Sequence, residues 1–316
     1  MSSQTWYAET WRLLKAAFTG WWNDRAMSLG ASIAFFTVFS LAPMLLAAIA
    51  VAGLAFGREA AQGAIVRELG GLIGTSSAAA IEALIVSASN VGSGIVGTTI
   101  GLTTFLLLVT GAVVELQDDL NIIWKVKAPS AYGVSAFVHT RLLSLAFVLG
   151  IGFLLLVSLV VDTGLSSIGA YLEAGFSGAK VLLWLLNSLV AFGIAMLLFA
   201  MIFKVLPAVN LTWHDVGTGA VVTALLFTIG KFLIGYYLGR GNIASTYGAA
   251  ASIITILLWI YYSSLILLFG AEFTKAYAES RGSRRDRPRP HSEEANPVER
   301  ADPALALQSN RPTRSS

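Results

Sequence analysis

The side chains best suited to chemistry in this chain are a few ionisable residues at the ends of long apolar stretches. The clearest is Glu272, which follows more than twenty uncharged residues and precedes Lys275 in the segment GAEFTK. A carboxyl group there can act as an acid, or it can mark the point where a helix leaves a membrane. We favour a structural ion pair over catalysis, and Lys275, three residues on, is one candidate partner. Arg141 and Lys204 are the alternative partners.

A second candidate is Lys231, which interrupts the apolar segment FTIGKFLIGYY. An unrelieved ammonium group within a membrane costs about 2.5–3.5 kcal/mol. The long side chain can extend outward to the membrane surface, or it can face an internal polar cavity and pair with an acid. Asp162 is the acidic residue closest to a span boundary on that side. We retain both interpretations.

A third candidate is a polar cluster that begins at Glu115 and continues with Gln117, Asp118, Asp119 and Asn121. Two adjacent acids can bind a metal ion. The cluster lacks the histidine or further carboxylate spacing that makes such a site specific. We therefore expect a solvated or ion-paired loop.

Pro43 lies inside the apolar segment FSLAPMLL. Proline removes a backbone donor and frees the carbonyl group of Phe39, which Ser40 and Thr37 are close enough to help satisfy. We expect a kinked helix. A break in the helix that lines a substrate site is the alternative.

The sequence lacks the motifs typical of well-known enzyme classes. It has no cysteine and only three histidines, and the patterns HExxH, GxSxG and GxxxxGK[ST] do not occur. We therefore predict no catalytic residue, no metal site and no cofactor. Glycine pairs at four-residue spacing, such as Gly97–Gly101 and Gly235–Gly239, are typical of close helix packing.

The elements that position these residues are predicted to be membrane helices. The 316 residues are 56% hydrophobic and 12% charged, whereas soluble domains carry about 25% charged residues. A helix needs about 20 apolar residues to cross a bilayer. The chain is thus predicted to be an all-α, polytopic membrane helical bundle. Its six spans are placed at 32–56, 93–115, 141–162, 180–206, 216–238 and 247–271.

Two further segments of the predicted transmembrane domain, 1–279, are amphipathic. Residues 4–22 place tryptophans on one helical stripe and basic residues off it, which is typical of a helix in the membrane interface. A cap helix packed on the bundle is the alternative. Residues 57–92 are predicted to form two short helices on the outer face, separated by Gly70, Gly71 and Gly74. They would cap the bundle or cover the mouth of a cavity.

Residues 280–316 are predicted to be a disordered cytoplasmic tail, since they are rich in proline, arginine and glutamate. Arg284, Arg285 and Arg287 are expected to attract anionic lipid. Thirteen lysines and arginines lie near span ends on the side of the N-terminus, against four on the other side. The positive-inside rule then places both termini in the cytoplasm.

Three segments resemble proteins of the YihY/virulence factor BrkB family. They are residues 24–57, from DRAMSLGASIAFF onward, residues 203–238, and residues 247–275, which include YGAAAS and FGAEFTK. The resemblance covers about residues 10–278 and implies a bacterial inner-membrane protein with about six spans and no established activity. One branch of that family carried the label ribonuclease BN, which is generally considered mistaken. The basic residues of this chain follow membrane topology and form no groove for nucleic acid.

The sequence thus favours a transporter, or a permease that handles lipids or other amphiphiles. An envelope scaffold or assembly factor without transport is the alternative, and a membrane-embedded enzyme is less favoured. Membrane lipids are the expected partners, and a homo-oligomer is a further expectation. The residues expected to line a cavity or form ion pairs are Lys231, Asp162, Glu115, Arg141, Glu272 and Pro43.

Overall fold

The computed structural model describes residues 3–73, 75–89, 95–126, 179–240 and 251–284, with the single positions 144, 146, 150, 154 and 157. All regular elements within these ranges are helices, which confirms the predicted all-α bundle. The helices are α1 (Ser3–Asn23), α2 (Ala26–Phe56), α3 (Arg58–Ile73), α4 (Thr75–Ser89), α5 (Ile95–Ile123), α6 (Ala179–Val205), α7 (Trp213–Arg240) and α8 (Ala251–Ser280).

Four of these helices contain segments that are long and apolar enough to cross a bilayer. The segments are Ala26–Leu46, Val181–Val205, Trp213–Ile234 and Ala251–Ser280, in α2, α6, α7 and α8. The chain is therefore a multi-pass membrane protein. Helix α5 includes residues 95–115 of the predicted span 93–115. The predicted span 141–162 lies outside the described residues except for the five single positions.

Helix α8 is the centre of the described bundle, because it packs against α1, α2 and α7. Helix α2 also packs against α5, and α6 packs against α7. The main core contains one fully buried side chain from each of four helices, α5 to α8: Leu120, Phe203, Val216 and Leu268. These residues lie near the end of the bundle where α5, α6 and α8 end and where α2 and α7 begin. We call it the charged end.

The opposite end of the bundle is covered by α3 and α4, which pack on α2 and α8. A cluster of four buried isoleucines joins them: Ile49, Ile81, Ile85 and Ile256. The segment predicted as 57–92 is thus two short helices that pack on the bundle. The predicted break is wider than the observed one, since α3 runs through Gly70 and Gly71 to Ile73. A Cβ atom at Gly70 would lie 3.7 Å from the Ala78 Cβ atom, so α3 and α4 pack closely there.

Candidate functional site at the charged end

Four ionisable side chains from distant parts of the chain meet at the charged end. Asp24 lies in the turn between α1 and α2, Lys125 directly follows α5, and Glu272 and Lys275 lie near the end of α8. The Lys275 Nζ atom is 3.5 Å from Glu272 Oε2 and 3.9 Å from Asp24 Oδ2. Lys125 pairs with the other Asp24 oxygen, Oδ1. We call these four residues the charged layer.

The acids of the charged layer are more deeply buried than its bases. The side chains of Glu272 and Asp24 are 3% and 8% exposed, whereas those of Lys275 and Lys125 are 15% and 50% exposed. Glu272 Oε1 and Asp24 Oδ2 are buried without a hydrogen-bond partner among the described residues. Glu272 therefore has one oxygen in an ion pair and one with unused hydrogen-bonding capacity, whereas both Asp24 oxygens face an ammonium group and Oδ2 still lacks a hydrogen bond.

Helix α1 closes the charged layer on one side, because it crosses α8 at a glycine. A Cβ atom at Gly20 would lie 2.8 Å from Glu272 Cδ, so only glycine leaves room for the carboxyl group there. The Trp21 indole N–H donates a hydrogen bond of 3.2 Å to the carbonyl oxygen of Leu265. Leu13 and Ala17 of α1 also pack against Phe273 of α8. The N-terminal helix is thus part of the packed bundle, as the cap-helix alternative expected.

The Glu115 cluster is not a loop, and that expectation is wrong. Helix α5 continues to Ile123 because its polar side chains find partners on neighbouring elements. Ser32 of α2 donates a hydrogen bond to Glu115. The Gln117 side chain donates to the carbonyl oxygen of Leu206 at 3.0 Å, and Asn121 Oδ1 accepts from the Ala208 backbone N–H at 2.8 Å. These bonds fix the connection between α6 and α7 against α5.

Asp119 lies in the same cluster, four residues beyond the predicted span 93–115, and its side chain is buried. Burial, together with the negative charges of Glu115 and Asp118, raises the pKa of Asp119 from 3.8 to about 7. Burial and Glu115 also raise the pKa of Asp118. The described part of the chain holds no group of three His, Cys, Asp or Glu side chains arranged for a metal ion.

Glu272 lies against Lys275, and the alternative partner Lys204 is engaged elsewhere. Lys204 donates a hydrogen bond to the carbonyl oxygen of Leu211, and its Nζ atom is 5.6 Å from the centre of the Trp213 ring. Lys204 thus holds the end of α6 to the connection before α7. Arg141, the other alternative partner, lies outside the described residues.

The other predicted site residues lie away from the charged layer. Lys231 is half-buried, its Nζ atom is 5.6 Å from the centre of the exposed Phe232 ring, and no described carboxylate pairs with it. Its expected partner Asp162 lies outside the described residues. Helix α2 continues through Pro43, so the alternative of a break in the helix does not hold. The Ser40 hydroxyl donates to the Thr37 carbonyl oxygen at 3.1 Å rather than to that of Phe39.

The sequence analysis missed a reciprocal contact between α7 and α8. A Cβ atom at Gly219 would lie 2.8 Å from the Thr274 Cβ atom, and one at Gly270 would lie 2.9 Å from the Thr223 Cβ atom. Each threonine hydroxyl donates to the carbonyl oxygen four residues earlier in its own helix, at 2.7 Å. The hydroxyl groups are thus satisfied although both side chains are fully buried. We call these four residues the Gly–Thr zipper.

The sequence analysis also placed the start of the tail too early. Residues 281–284 are held against the bundle, although they were assigned to the disordered segment 280–316. The Ser283 backbone N–H donates to Asp215 Oδ2 at 3.2 Å, and Arg281 pairs with Glu9 of α1. The Arg284 guanidinium carbon is 5.6 Å from the centre of the Trp124 ring. Arg285 and Arg287 lie outside the described residues.

Asp215 is able to hold the chain after α8 because it lies in the first turn of α7, which Thr212 caps: the Asp215 backbone N–H donates to the Thr212 hydroxyl oxygen at 3.4 Å. The Thr212 hydroxyl donates to Asp215 Oδ2 at 2.7 Å, and a Cβ atom at Gly282 would lie 2.7 Å from Asp215 Cγ. The signal for this contact was the Thr212–Asp215 spacing, which is typical of a capping box.

Comparisons with known proteins agree with the resemblance seen in the sequence. Residues 17–296 match the family described as Virulence factor BrkB. A UPF0761 membrane protein of Tolumonas auensis is 32% identical over 183 residues, which cover 58% of each chain. One of Rhodospirillum centenum is 30% identical over 280 residues, 86% of this chain and 59% of the relative. One of Pseudoalteromonas translucida is 27% identical over 265 residues, 81% of this chain and 85% of the relative.

The matched region spans less than two thirds of the first two of these relatives. The names of these three relatives describe membrane proteins and state no reaction. No solved structure matches the chain. The family match nevertheless covers most of the sequence and includes every residue of the charged layer. This multi-pass chain therefore belongs to the Virulence factor BrkB family of membrane proteins.

Proposed function

We propose that this protein is a permease that moves lipids or other amphiphiles across the bacterial inner membrane. The observation that carries the proposal is the carboxyl group of Glu272, 97% removed from solvent within the apolar helix α8 and with one oxygen unpaired. Ionisable groups in membrane helices are costly, and where they occur they commonly belong to ion or substrate pathways. Glu272 of the charged layer is such an ionisable group.

The proposal includes the orientation of the chain, with the charged end and both termini in the cytoplasm. The excess of lysine and arginine on that side supports it. Because the chain has no cysteine, single cysteines can report the orientation. In right-side-out membrane vesicles, a membrane-impermeant maleimide should label Arg58→Cys and should label Lys15→Cys only after the vesicles are opened. The reverse pattern would overturn the orientation.

A lipid-translocation assay tests the permease. The purified protein is reconstituted into vesicles of phosphatidylethanolamine and phosphatidylglycerol that contain an NBD-labelled phosphatidylethanolamine, and dithionite is then added outside. We expect dithionite to bleach nearly all the label with the protein and only the outer-leaflet share without it. Folded, monodisperse protein that leaves the inner-leaflet label intact would count against a lipid permease.

Lys231 provides a variant for this assay, since it lies in the membrane without an acidic partner among the described residues. Lys231→Met should lower the rate of lipid translocation if this ammonium faces the lipid headgroup path. Lys15→Met is the matched control, because Lys15 is exposed on α1. Equal rates for wild type and Lys231→Met would remove Lys231 from the proposed pathway.

A scaffold or assembly factor is the second candidate, and the Gly–Thr zipper favours it. Close helix contacts through small residues are typical of rigid bundles. A scaffold would show no lipid translocation and would crosslink to another envelope protein or to a second copy in intact membranes. We further propose that the protein is not an enzyme, since the acids and bases of the charged layer pair with one another.

A further inference from the structure

We propose that the Asp24–Glu272 carboxyl pair binds one proton and is the proton site of the proposed permease. The proton-binding step stands on geometry alone, whereas its coupling to movement of a lipid or amphiphile rests on the proposed function. The pair joins the α1–α2 turn to the end of α8, at the point where α5 also arrives.

The first argument is the position of the unpaired oxygens. Glu272 Oε1 and Asp24 Oδ2 are the two atoms of the charged layer that are buried without a hydrogen-bond partner. Both carboxyl groups face the same ammonium group, because Lys275 Nζ lies 3.5 Å from Glu272 Oε2 and 3.9 Å from Asp24 Oδ2. Ionised carboxylates only accept hydrogen bonds. A proton bound by the pair therefore supplies a donor, which two ionised groups lack.

The second argument is the charge around the pair. Lys275 of α8 lies within 4 Å of both carboxyl groups, and Lys125 after α5 contacts only Asp24 and is half exposed. From α1 the pair meets the backbone at Gly20. The part of α7 that packs beside the carboxyl pair places Gly219 against Thr274, so it brings no charged side chain to this contact. The ionised layer is thus neutral, with two acids and two bases, and one bound proton gives it a charge of +1.

The third argument is what the proton changes. Asp24 contacts Lys125 and Lys275 through different oxygens, so it links α5 to α8 through the α1–α2 turn. A proton on the carboxyl pair weakens the attraction between this pair and the two ammonium groups. The contacts that hold α5 against the α1–α2 turn therefore loosen when the proton binds and tighten when it leaves.

Infrared difference spectroscopy of the full chain in lipid nanodiscs tests the proton site. The carbonyl stretch of a protonated carboxylic acid is separate from the carboxylate bands, and it shifts in D₂O. Because Asp119 also keeps a proton up to about pH 7, all proteins are compared in an Asp119→Asn background, in which we expect one such band near neutral pH. Glu272→Gln and Asp24→Asn should each abolish it. Each variant leaves a single acid with no second carboxylate to share the proton. Glu279→Gln is the matched control, since Glu279 is exposed on the same helix, and it should keep the band.

The outcomes separate the proton site from the permease. A band that survives in either pair variant overturns the shared proton, as does stabilisation of the wild type by sodium ions in place of the band. If Glu272→Gln is not monodisperse, Asp24→Asn and the D₂O shift decide. If the band is present and lipid translocation is absent, the proton site stands and the permease proposal is overturned. If the protein shows the band and its lipid translocation is unchanged by an imposed pH gradient, the proton site and the permease both stand, and their coupling is overturned.

Discussion

The two ends of the bundle are held together by different kinds of contact. At the charged end, helices meet through the Gly–Thr zipper, the charged layer and side-chain hydrogen bonds to the connection between α6 and α7. At the opposite end, α3 and α4 are joined to α2 and α8 through isoleucine side chains. The first kind of contact requires a particular residue at each position, whereas the second requires only apolar residues of suitable volume.

This difference has a physical cause in the membrane. Lipid tails are as apolar as leucine or isoleucine, so apolar burial alone does little to select one helix partner over another. Close approach at glycine and paired polar groups do select a partner, because another register leaves a clash or an unpaired polar group. We infer that the charged end determines how the helices are arranged and that the opposite end adds packing.

Gly219→Leu should have the largest effect, because its side chain would occupy the volume of the buried Thr274. Extra methylene groups in a well-packed core cost about 1–3 kcal/mol and sometimes more, and we expect a cost above that range here, because the overlap with Thr274 already begins at the Cβ atom. We expect loss of the monodisperse peak in size-exclusion chromatography. Gly217→Leu, two residues earlier on α7, is the control, because nothing lies within 4 Å of a Cβ atom there. Equal behaviour of the two variants would contradict the zipper.

Ile85→Ala should have a smaller effect, at the opposite end. Ile85 is fully buried in the isoleucine cluster, and truncation of a buried isoleucine to alanine costs about 2–5 kcal/mol. We expect a lower unfolding temperature with the protein still folded and its lipid translocation unchanged. The neighbouring Leu84 is 48% exposed, so Leu84→Ala is the control. Loss of translocation at normal expression would show that this end does more than add packing.

Asp119→Asn should change the pH dependence of stability at the charged end. Because the pKa of Asp119 is about 7 in the folded chain and 3.8 ordinarily, the folded state keeps a proton that the unfolded state releases between these values. The free energy of unfolding therefore falls as the pH rises from about 4 to 7 and stays low above 7. The variant should be more stable than wild type at pH 8, by a margin that shrinks toward pH 4.

Thermal unfolding at a series of pH values measures this effect. Glu82→Gln is the control for loss of one carboxyl group, because Glu82 is exposed on α4, and it should keep the wild-type slope. A wild-type slope in Asp119→Asn would show that Asp119 is ionised in the folded protein.

Lys125 should give the smallest effect, since its two roles oppose each other. It has a left-handed backbone with a φ of 53°, which costs about 1–2 kcal/mol for a residue with a side chain, and it also pairs with Asp24. Lys125→Ala loses the ion pair and keeps the strain, whereas Lys125→Gly loses both. We expect the alanine variant to unfold at a lower temperature than the glycine variant. The opposite order would mean that the turn after α5 is not strained.

The sequence predicts the helices well where apolar runs are long. The spans expected at 180–206 and 216–238 are α6, Ala179–Val205, and α7, Trp213–Arg240. The span expected at 247–271 ends nine residues later than expected, at Ser280. Polarity marks where a helix leaves the membrane and not where it ends, so Glu272 and Lys275 do not stop α8. The same reasoning explains why α5 continues past Glu115.

The candidate site is only partly predictable. The spacing of Glu272 and Lys275 on one helix is a local signal, and the two side chains do lie 3.5 Å apart. The contribution of Asp24 depends on where the α1–α2 turn reaches α8, which no local pattern encodes. The zipper had a signal that we did not use: the segments GAVVT and GAEFT, 219–223 and 270–274, repeat a glycine and a threonine at four-residue spacing.

The zipper also limits how α7 and α8 can move. The helices run in opposite directions, and each glycine lies opposite the threonine of its partner. Sliding one helix by a full turn in one direction would oppose Thr223 to Thr274 and place the Phe227 ring over Gly270. Sliding it the other way would leave two glycines facing across an empty gap. We therefore expect α7 and α8 to move as one rigid unit relative to α2 and α5, without sliding along each other.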